Sequence, residues 1–244
     1  MSLSFKFGYD TYMNPSMYTE DFKNGPGGWY GWINNAQGPK PLELQDGHIT
    51  SRSPWWIDYN HAPPGAGYIH MVFCLSTTGP QGECYQEAGG LNRFIEGSHP
   101  INFTDAKITM RSRGELLSRS AEMVLLIQSN VDGIISGWLR TGEPFKVTEE
   151  WSTQTITLDP DESGWTALGV RHDRADMYGV KPLDKVLSNI DVNIMLVMFP
   201  LVIEPMGPLD ADPHILRPER DYPVWRSKLP EGYVTMDKIE IQFA

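Results

Sequence analysis

Short runs in which apolar and polar residues alternate make up most of the chain. This period of two is typical of β-strands, because successive strand side chains point to opposite faces. Glycines and prolines, 23 and 19 of them, separate the runs as turn residues do. Residues 182–190 predict a short helical turn. Eight stretches are predicted to be β-strands: residues 42–51, 67–76, 105–116, 121–129, 133–141, 151–158, 189–203 and 233–243.

Eight long strands without a crossover helix predict an all-β fold, an antiparallel β-sandwich with long loops. Residues 121–129 are apolar on both faces until Gln128, which predicts a central strand covered on both sides. No shift in composition marks a domain boundary, so residues 1–244 are predicted to form a single domain. Within it, we expect residues 1–15 to be peripheral and the proline-rich residues 205–225 to form a long loop before the closing strand.

Strand alternation also places four side chains that suit a sugar ligand. Arg111 and Arg113 fall on the polar face of one predicted strand, and Trp138 and Arg140 share a face of another. Because these strands are expected to be neighbours, we expect all four side chains to project from one sheet surface. An indole stacks on a sugar ring, and guanidinium groups bind vicinal hydroxyls or a uronic-acid carboxylate. In the alternative interpretation, the arginines pair with some of the 31 acidic residues and Trp138 belongs to the core.

Composition and charge limit the classes of partner. With 40% hydrophobic and 21% charged residues, the 244-residue chain has an ordinary globular composition. Its formal net charge of −11 argues against nucleic acid or an anionic membrane as the main partner. The N-terminus lacks the basic and apolar regions of a secretory signal, so localisation is open, with cytoplasm as the default. Cys74 lies in an apolar run and is predicted to carry a buried free thiol, with a disulfide to Cys84 as the alternative.

The second half of the chain carries an ordered series of motifs. The strand at residues 151–158 has the pattern W-x-x-x-x-I-x-L, and the closing strand has the pattern G-x-x-x-x-D-x-I-x-I. Between them, a turn leads into a long apolar strand. This order resembles the C-terminal half of galactose-binding-like jelly rolls, the fold of many carbohydrate-binding modules, and EDFKNGPGGWYGW resembles their opening segment. The matching residues of the second half are Trp151, Ile156, Leu158, Val186, Ile190, Gly232, Asp237, Ile239 and Ile241.

The resemblance implies a jelly-roll sandwich that binds carbohydrate without catalysis and requires no cofactor. Because such modules often hold a structural calcium near their first and last strands, it also implies Glu20, Asp21 and Asp237 as candidate calcium ligands. At 244 residues, however, the chain is long for one such module. Residues 54–68 and 205–225 have no counterpart in it, so we expect features particular to this protein there.

The sequence WWIDYNH combines aromatic and polar side chains in one short stretch, with Trp55, Trp56, Asp58, Asn60 and His61. As a binding site, these residues would form a sugar-stacking lip at the rim of the sandwich. As a catalytic site, Asp58 would orient His61 and tune its pKa, as in an acid–base pair. In the structural interpretation, the Asp and Asn side chains form turns with the backbone, and one tryptophan closes the open end of the core.

Three functional hypotheses follow. The first is a protein that binds carbohydrate, for example an acidic or a plant or microbial polysaccharide, through the arginine–tryptophan face and the WWIDYNH loop. The second is an enzyme on the same scaffold. It would be a polysaccharide lyase with an arginine to neutralise a uronate and His61 or Tyr68 as base, or a glycoside hydrolase that uses Glu96 and Glu115. The third is a structural or assembly module whose faces bury against protein partners.

Overall fold

The computed structural model shows two antiparallel β-sheets that pack against each other, which confirms the predicted all-β sandwich. The jelly-roll type of sandwich stays a prediction. None of the helices in the described residues has the length and hydrophobicity that a membrane span requires. The structure describes residues 16–34, 38–58, 68–79, 83–171, 174–201 and 229–244.

Sheet A has six strands within the described part of the chain. In spatial order they are β11 (Ser152–Thr157), β8 (Lys107–Leu117), β14 (Glu231–Gln242), β5 (His48–Arg52) and β4 (Glu43–Gln45), with β1 (Met17–Glu20) also beside β14. The long β14 therefore pairs with β8 along one edge and with β5 and β1, end to end, along the other.

Sheet B also has six strands within the described residues. In spatial order they are β12 (Thr166–Ala167), β10 (Ile134–Leu139), β9 (Glu122–Val131), β13 (Asn193–Leu201), β7 (Tyr68–Ser76) and β6 (Ile57–Asp58). The remaining elements are the hairpin of β2 (Gly31–Asn34) and β3 (Gly38–Lys40), the helices α1 (Glu83–Gly89), α2 (Arg93–Glu96) and α3 (Leu183–Leu187), and a 3₁₀ turn (Glu162–Gly164).

The main core lies between the two sheets, and a second apolar cluster lies on the outer face of sheet B. On β9, Met123 and Leu125 belong to the main core, whereas Val124 and Leu126 belong to the outer cluster. This confirms that residues 121–129 form a central strand covered on both sides, since β9 lies between β10 and β13. An apolar outer cluster on sheet B requires other segments to cover it, and those segments build the site described below.

In sheet A, apolar residues face the core and polar residues face outward. On β8, Ile108 and Met110 are fully buried, whereas Arg111 and Arg113 lie on the outer face, as alternation predicts. β14 carries a bulge at Asp237, where its register against β8 shifts by one residue. The bulge adds a carboxylate to the outer face beside the β8 arginines.

Seven of the eight predicted strands are present as single strands, and the predicted helical turn is α3. The stretch 42–51 is a hairpin rather than one strand, because Asp46 and Gly47 take positive φ values of 51° and 75°, as a two-residue hairpin turn requires. The pattern missed β1, β2, β3, β6, β12, α1 and α2, most of which are too short to show a period. Residues 1–15 and 205–225 lie outside the described residues, and the single-domain organisation stays a prediction.

Candidate ligand-binding site

A cavity of about 250 Å³ lies on the outer face of sheet B. Its floor is formed by side chains that β7, β9 and β13 direct away from the main core, among them Met71, Leu126 and Met195. Residues from the β2 strand and the α1 helix pack over this floor. We call this site the aromatic cavity, and its aromatic lining residues are Tyr30, Trp32, Trp56, Tyr85 and Tyr178.

Four of these rings form one continuous cluster. The ring centroids of Tyr30 and Tyr85 lie 5.3 Å apart, and the Trp32 ring lies 6.2 Å from both the Trp56 and the Tyr85 rings. These separations fall within the range of about 4.5–7 Å that is typical of favourable aromatic pairs. Tyr30 is fixed to β7 by two backbone hydrogen bonds with Cys74, of 3.0 and 2.8 Å. The aromatic wall is therefore tied to the sheet that it covers.

The two adjacent tryptophans of WWIDYNH lie on opposite sides of sheet B. Trp55 packs in the main core, where its indole N–H donates to Ser51 Oγ over 2.9 Å. Trp56 lines the aromatic cavity, and its carbonyl accepts a hydrogen bond of 3.1 Å from the Met71 amide. Trp55 thus has the core position that the structural interpretation expects, whereas Trp56 faces a cavity.

In the part of the chain that the structure describes, three buried polar atoms of the cavity-lining residues have no hydrogen-bond partner. They are Trp32 Nε1, Trp56 Nε1 and Asn193 Oδ1. A buried donor or acceptor without a partner costs about 1–3 kcal/mol. A ligand that brings oxygen atoms and hydroxyl groups into the cavity would recover this free energy, once the side chains adjust to meet it.

Arg171 contributes a cation to the wall. Its guanidinium carbon lies 4.7 Å from the centroid of the Tyr178 ring, in a cation–π contact. The segment that carries Tyr178 is anchored to β10 by two hydrogen bonds, Ile135 N to Met177 O at 2.7 Å and Gly179 N to Ile135 O at 3.1 Å. The Arg171 side chain is therefore held against a fixed aromatic ring at the cavity.

A second cluster lies on the outer face of sheet A, around Trp151. The guanidinium carbons of Arg111 and Arg113 lie 4.7 and 4.9 Å from the Trp151 ring centroid. His48 stacks on the same ring, with a centroid separation of 5.5 Å. Arg111 also forms an ion pair with Asp237 at the β14 bulge. Arg111 and Arg113 thus share a face, as predicted, and they pack on Trp151, which belongs to the W-x-x-x-x-I-x-L motif of β11.

The prediction that Trp138 and Arg140 project from this same face is wrong, because β8 belongs to sheet A and β10 to sheet B. Trp138 lies in the main core, and its indole N–H donates to Lys181 O over 3.0 Å. Arg140 is 6% exposed and pairs with Asp159 at 2.6 Å and with Glu143 at 3.2 Å. For these two residues the structure matches the alternative interpretation, in which arginine pairs with acids and tryptophan is core.

The three candidate calcium ligands do not meet. Glu20 is buried and holds Arg93 in a two-pronged ion pair, with both N···O distances 2.6 Å. Asp21 and Asp237 line a separate cavity of about 260 Å³, together with Lys23, Lys238 and an arginine. Among the described residues, no three acidic, histidine or cysteine side chains are grouped as metal ligands. Calcium binding therefore stays a prediction.

The residues proposed for catalysis are placed only in part. The side chains of Asp58, Asn60 and His61 lie outside the described residues. Burial raises the pKa of Tyr68, so the phenolate that would act as the base is a smaller fraction of this side chain at neutral pH.

The two carboxylates suggested for glycoside hydrolysis line different cavities. Glu96 borders a cavity beside α2. Glu115 borders another at the outer face of sheet A, where it accepts a hydrogen bond of 3.1 Å from Tyr233 Oη. Glycosidase chemistry requires both groups at one bond of the substrate.

Sequence reasoning missed most of the aromatic cavity, although two of its residues gave a signal. Gln128 ends the apolar run of β9 and Asn193 begins the apolar strand β13, and the two amides are register partners. A polar residue on an apolar sheet face indicates a local need for hydrogen bonding. Tyr30, Trp32 and Tyr85 gave no such signal, because they lie in or beside short elements whose position over sheet B is set only by the tertiary structure.

Comparisons of the chain with protein-family models, with curated proteins and with solved structures found no match.

Proposed function

We propose that the protein binds carbohydrate in the aromatic cavity on the outer face of sheet B. The observation that carries the proposal is the combination of clustered aromatic rings with partnerless buried polar atoms around one cavity. A sugar ring has an apolar face that stacks on an aromatic ring and an edge of hydroxyl groups that form hydrogen bonds. The cavity-lining residues supply both kinds of partner, aromatic rings for stacking and polar atoms for hydrogen bonds.

The size of the cavity sets the size of the bound unit. At about 250 Å³, it is slightly smaller than the cavities of roughly 300–1,000 Å³ that hold drug-sized ligands. It therefore suits about one sugar residue, either free or at the end of a longer chain.

The arginine–tryptophan face of sheet A is a weaker candidate for the same role. The Trp151 ring already contacts two guanidinium groups and a stacked histidine. Arg111 is neutralised by Asp237. On this exposed face the polar groups already pair with one another, so a ligand adds little binding free energy. In the described part of the aromatic cavity, buried polar atoms have no partner, so a ligand that pairs with them adds more.

Binding of a panel of monosaccharides and oligosaccharides, measured by calorimetry or by ligand-observed NMR, tests the proposal. We expect Trp56→Ala and Trp32→Ala to weaken sugar binding at least tenfold, since an aromatic stacking contact contributes about 1 kcal/mol beyond its buried area. Trp56→Phe keeps an aromatic ring and should bind better than Trp56→Ala.

The matched control is Trp151→Ala, which removes a tryptophan from the outer face of the other sheet. It should leave sugar binding unchanged. If the control abolishes binding while the two cavity variants retain it, the site lies on sheet A and the proposal is wrong.

A further inference from the structure

We propose that the ligand of the aromatic cavity is a sugar acid, a hydroxylated ring that bears one carboxylate, and that Arg171 binds the carboxylate. This inference rests on the proposed function and specifies its ligand class. Three features support it: the positive charge of the described cavity wall, the contact of Arg171 with the Tyr178 ring, and buried polar atoms without partners that could bind hydroxyl groups.

The described wall of the cavity contains one charged side chain, Arg171, and neither aspartate nor glutamate. The chain as a whole has 31 acidic and 20 basic residues, so a wall without acids differs from the average surface of this protein. The net charge of −11 repels anions at long range. At physiological ionic strength, however, charges are screened beyond about 8 Å, so the local cation decides which ligand is bound.

The stacking of Arg171 on Tyr178 suits it to carboxylate recognition. The cation–π contact with the Tyr178 ring is not a hydrogen bond, so it leaves guanidinium N–H donors with which a carboxylate can pair side by side. Five donors allow a carboxylate to be bound in addition to another partner. Arg171 is only partly exposed, so the contact is screened less than one on an open surface.

The remaining polar atoms match the hydroxyl groups of such a ligand. Trp32 Nε1 and Trp56 Nε1 are donors and Asn193 Oδ1 is an acceptor, and each is buried without a partner. A hydroxyl group both accepts and donates, so it can meet either kind of atom. A plain fatty or aromatic acid would satisfy Arg171 but leave these three atoms without partners.

The test compares matched sugars that differ only at the acidic carbon, galacturonate against galactose and glucuronate against glucose. We expect the wild-type protein to bind the acid of at least one pair roughly tenfold to a hundredfold more tightly, as a charge-assisted hydrogen bond implies. Raising the salt concentration should reduce this preference, because it screens the charge pair. Comparing a free uronate with an oligomer that ends in the same unit shows whether the natural source is a small molecule or a polysaccharide.

Variants assign the preference to one residue. Arg171→Gln should bring the affinities for the acid and the neutral sugar together, and Arg171→Lys should restore part of the preference. Arg113→Gln, a change to an exposed arginine on sheet A, should leave it intact. Equal affinity for acid and neutral sugar, or a preference that survives in Arg171→Gln, overturns the inference and leaves the proposed function standing. If no sugar binds, the proposed function fails as well.

Discussion

Because His70 is buried, the unfolding free energy of this protein is expected to fall in acid. His70 lies on β7, is 2% exposed, and its ring centroid is 5.9 Å from that of Trp55 in the main core. Burial lowers the pKa of His70 from 6.5 to about 4, because a charged imidazolium is poorly solvated there. His70 is therefore neutral in the folded protein at pH 7.

The direction of the effect follows from proton binding. Between pH 6.5 and about 4 the unfolded chain holds a proton on His70 that the folded protein does not, so acid favours unfolding. The contribution of neutral His70 to the unfolding free energy is therefore fully present above the pKa of this histidine in the unfolded chain, and it is lost as the pH falls towards the folded-state pKa. A shift from 6.5 to about 4 corresponds to a loss of about 2 kcal/mol at pH 5 and about 3 kcal/mol at pH 4.

Urea unfolding followed by tryptophan fluorescence between about pH 7 and 4 measures this loss. Other groups also titrate, so the quantity to compare is the difference between the wild type and His70→Leu. We expect the unfolding free energy of the variant to fall less with acid, by about 3 kcal/mol over the range. Leu75→Val is the control, because Leu75 is buried on the same strand and has no titratable group. It should lower the unfolding free energy by the same amount at every pH. A His70→Leu curve parallel to that of the wild type would refute the reasoning.

Three further changes test the packing of the fold. Trp55→Ala should lower the unfolding free energy by about 4 kcal/mol in urea titrations, because it empties a buried core position; a loss below 1 kcal/mol would contradict that placement. Glu20→Ala should cost about 3 kcal/mol, since it leaves Arg93 partly buried without its carboxylate, and wild-type stability in this variant would count against the pair. Gly114→Ala should lower the melting temperature, because a Cβ there would lie 2.1 Å from the Tyr233 carbonyl oxygen, and an unchanged melting temperature would show that the strands can separate locally.

Local patterns in the sequence were enough to predict the class of the fold and the faces of individual strands. Apolar patterns located seven long strands and the β4–β5 hairpin, because burial of one sheet face imposes a period of two on any sequence. It also placed Arg111 and Arg113 outward on β8 and marked β9 as covered on both sides. These are local properties, which a strand carries whatever its neighbours are.

Which faces meet depends on the tertiary structure. Consecutive strands in the chain can lie in different sheets, so Arg111 and Trp138, which the sequence grouped together, are found on an outer face and in the core. For the same reason Trp55 and Trp56, adjacent in the chain, lie on opposite sides of sheet B. The aromatic cavity exists because short elements with no periodic signal fold over that sheet, and side chains from distant parts of the chain converge there through contacts that no local pattern records.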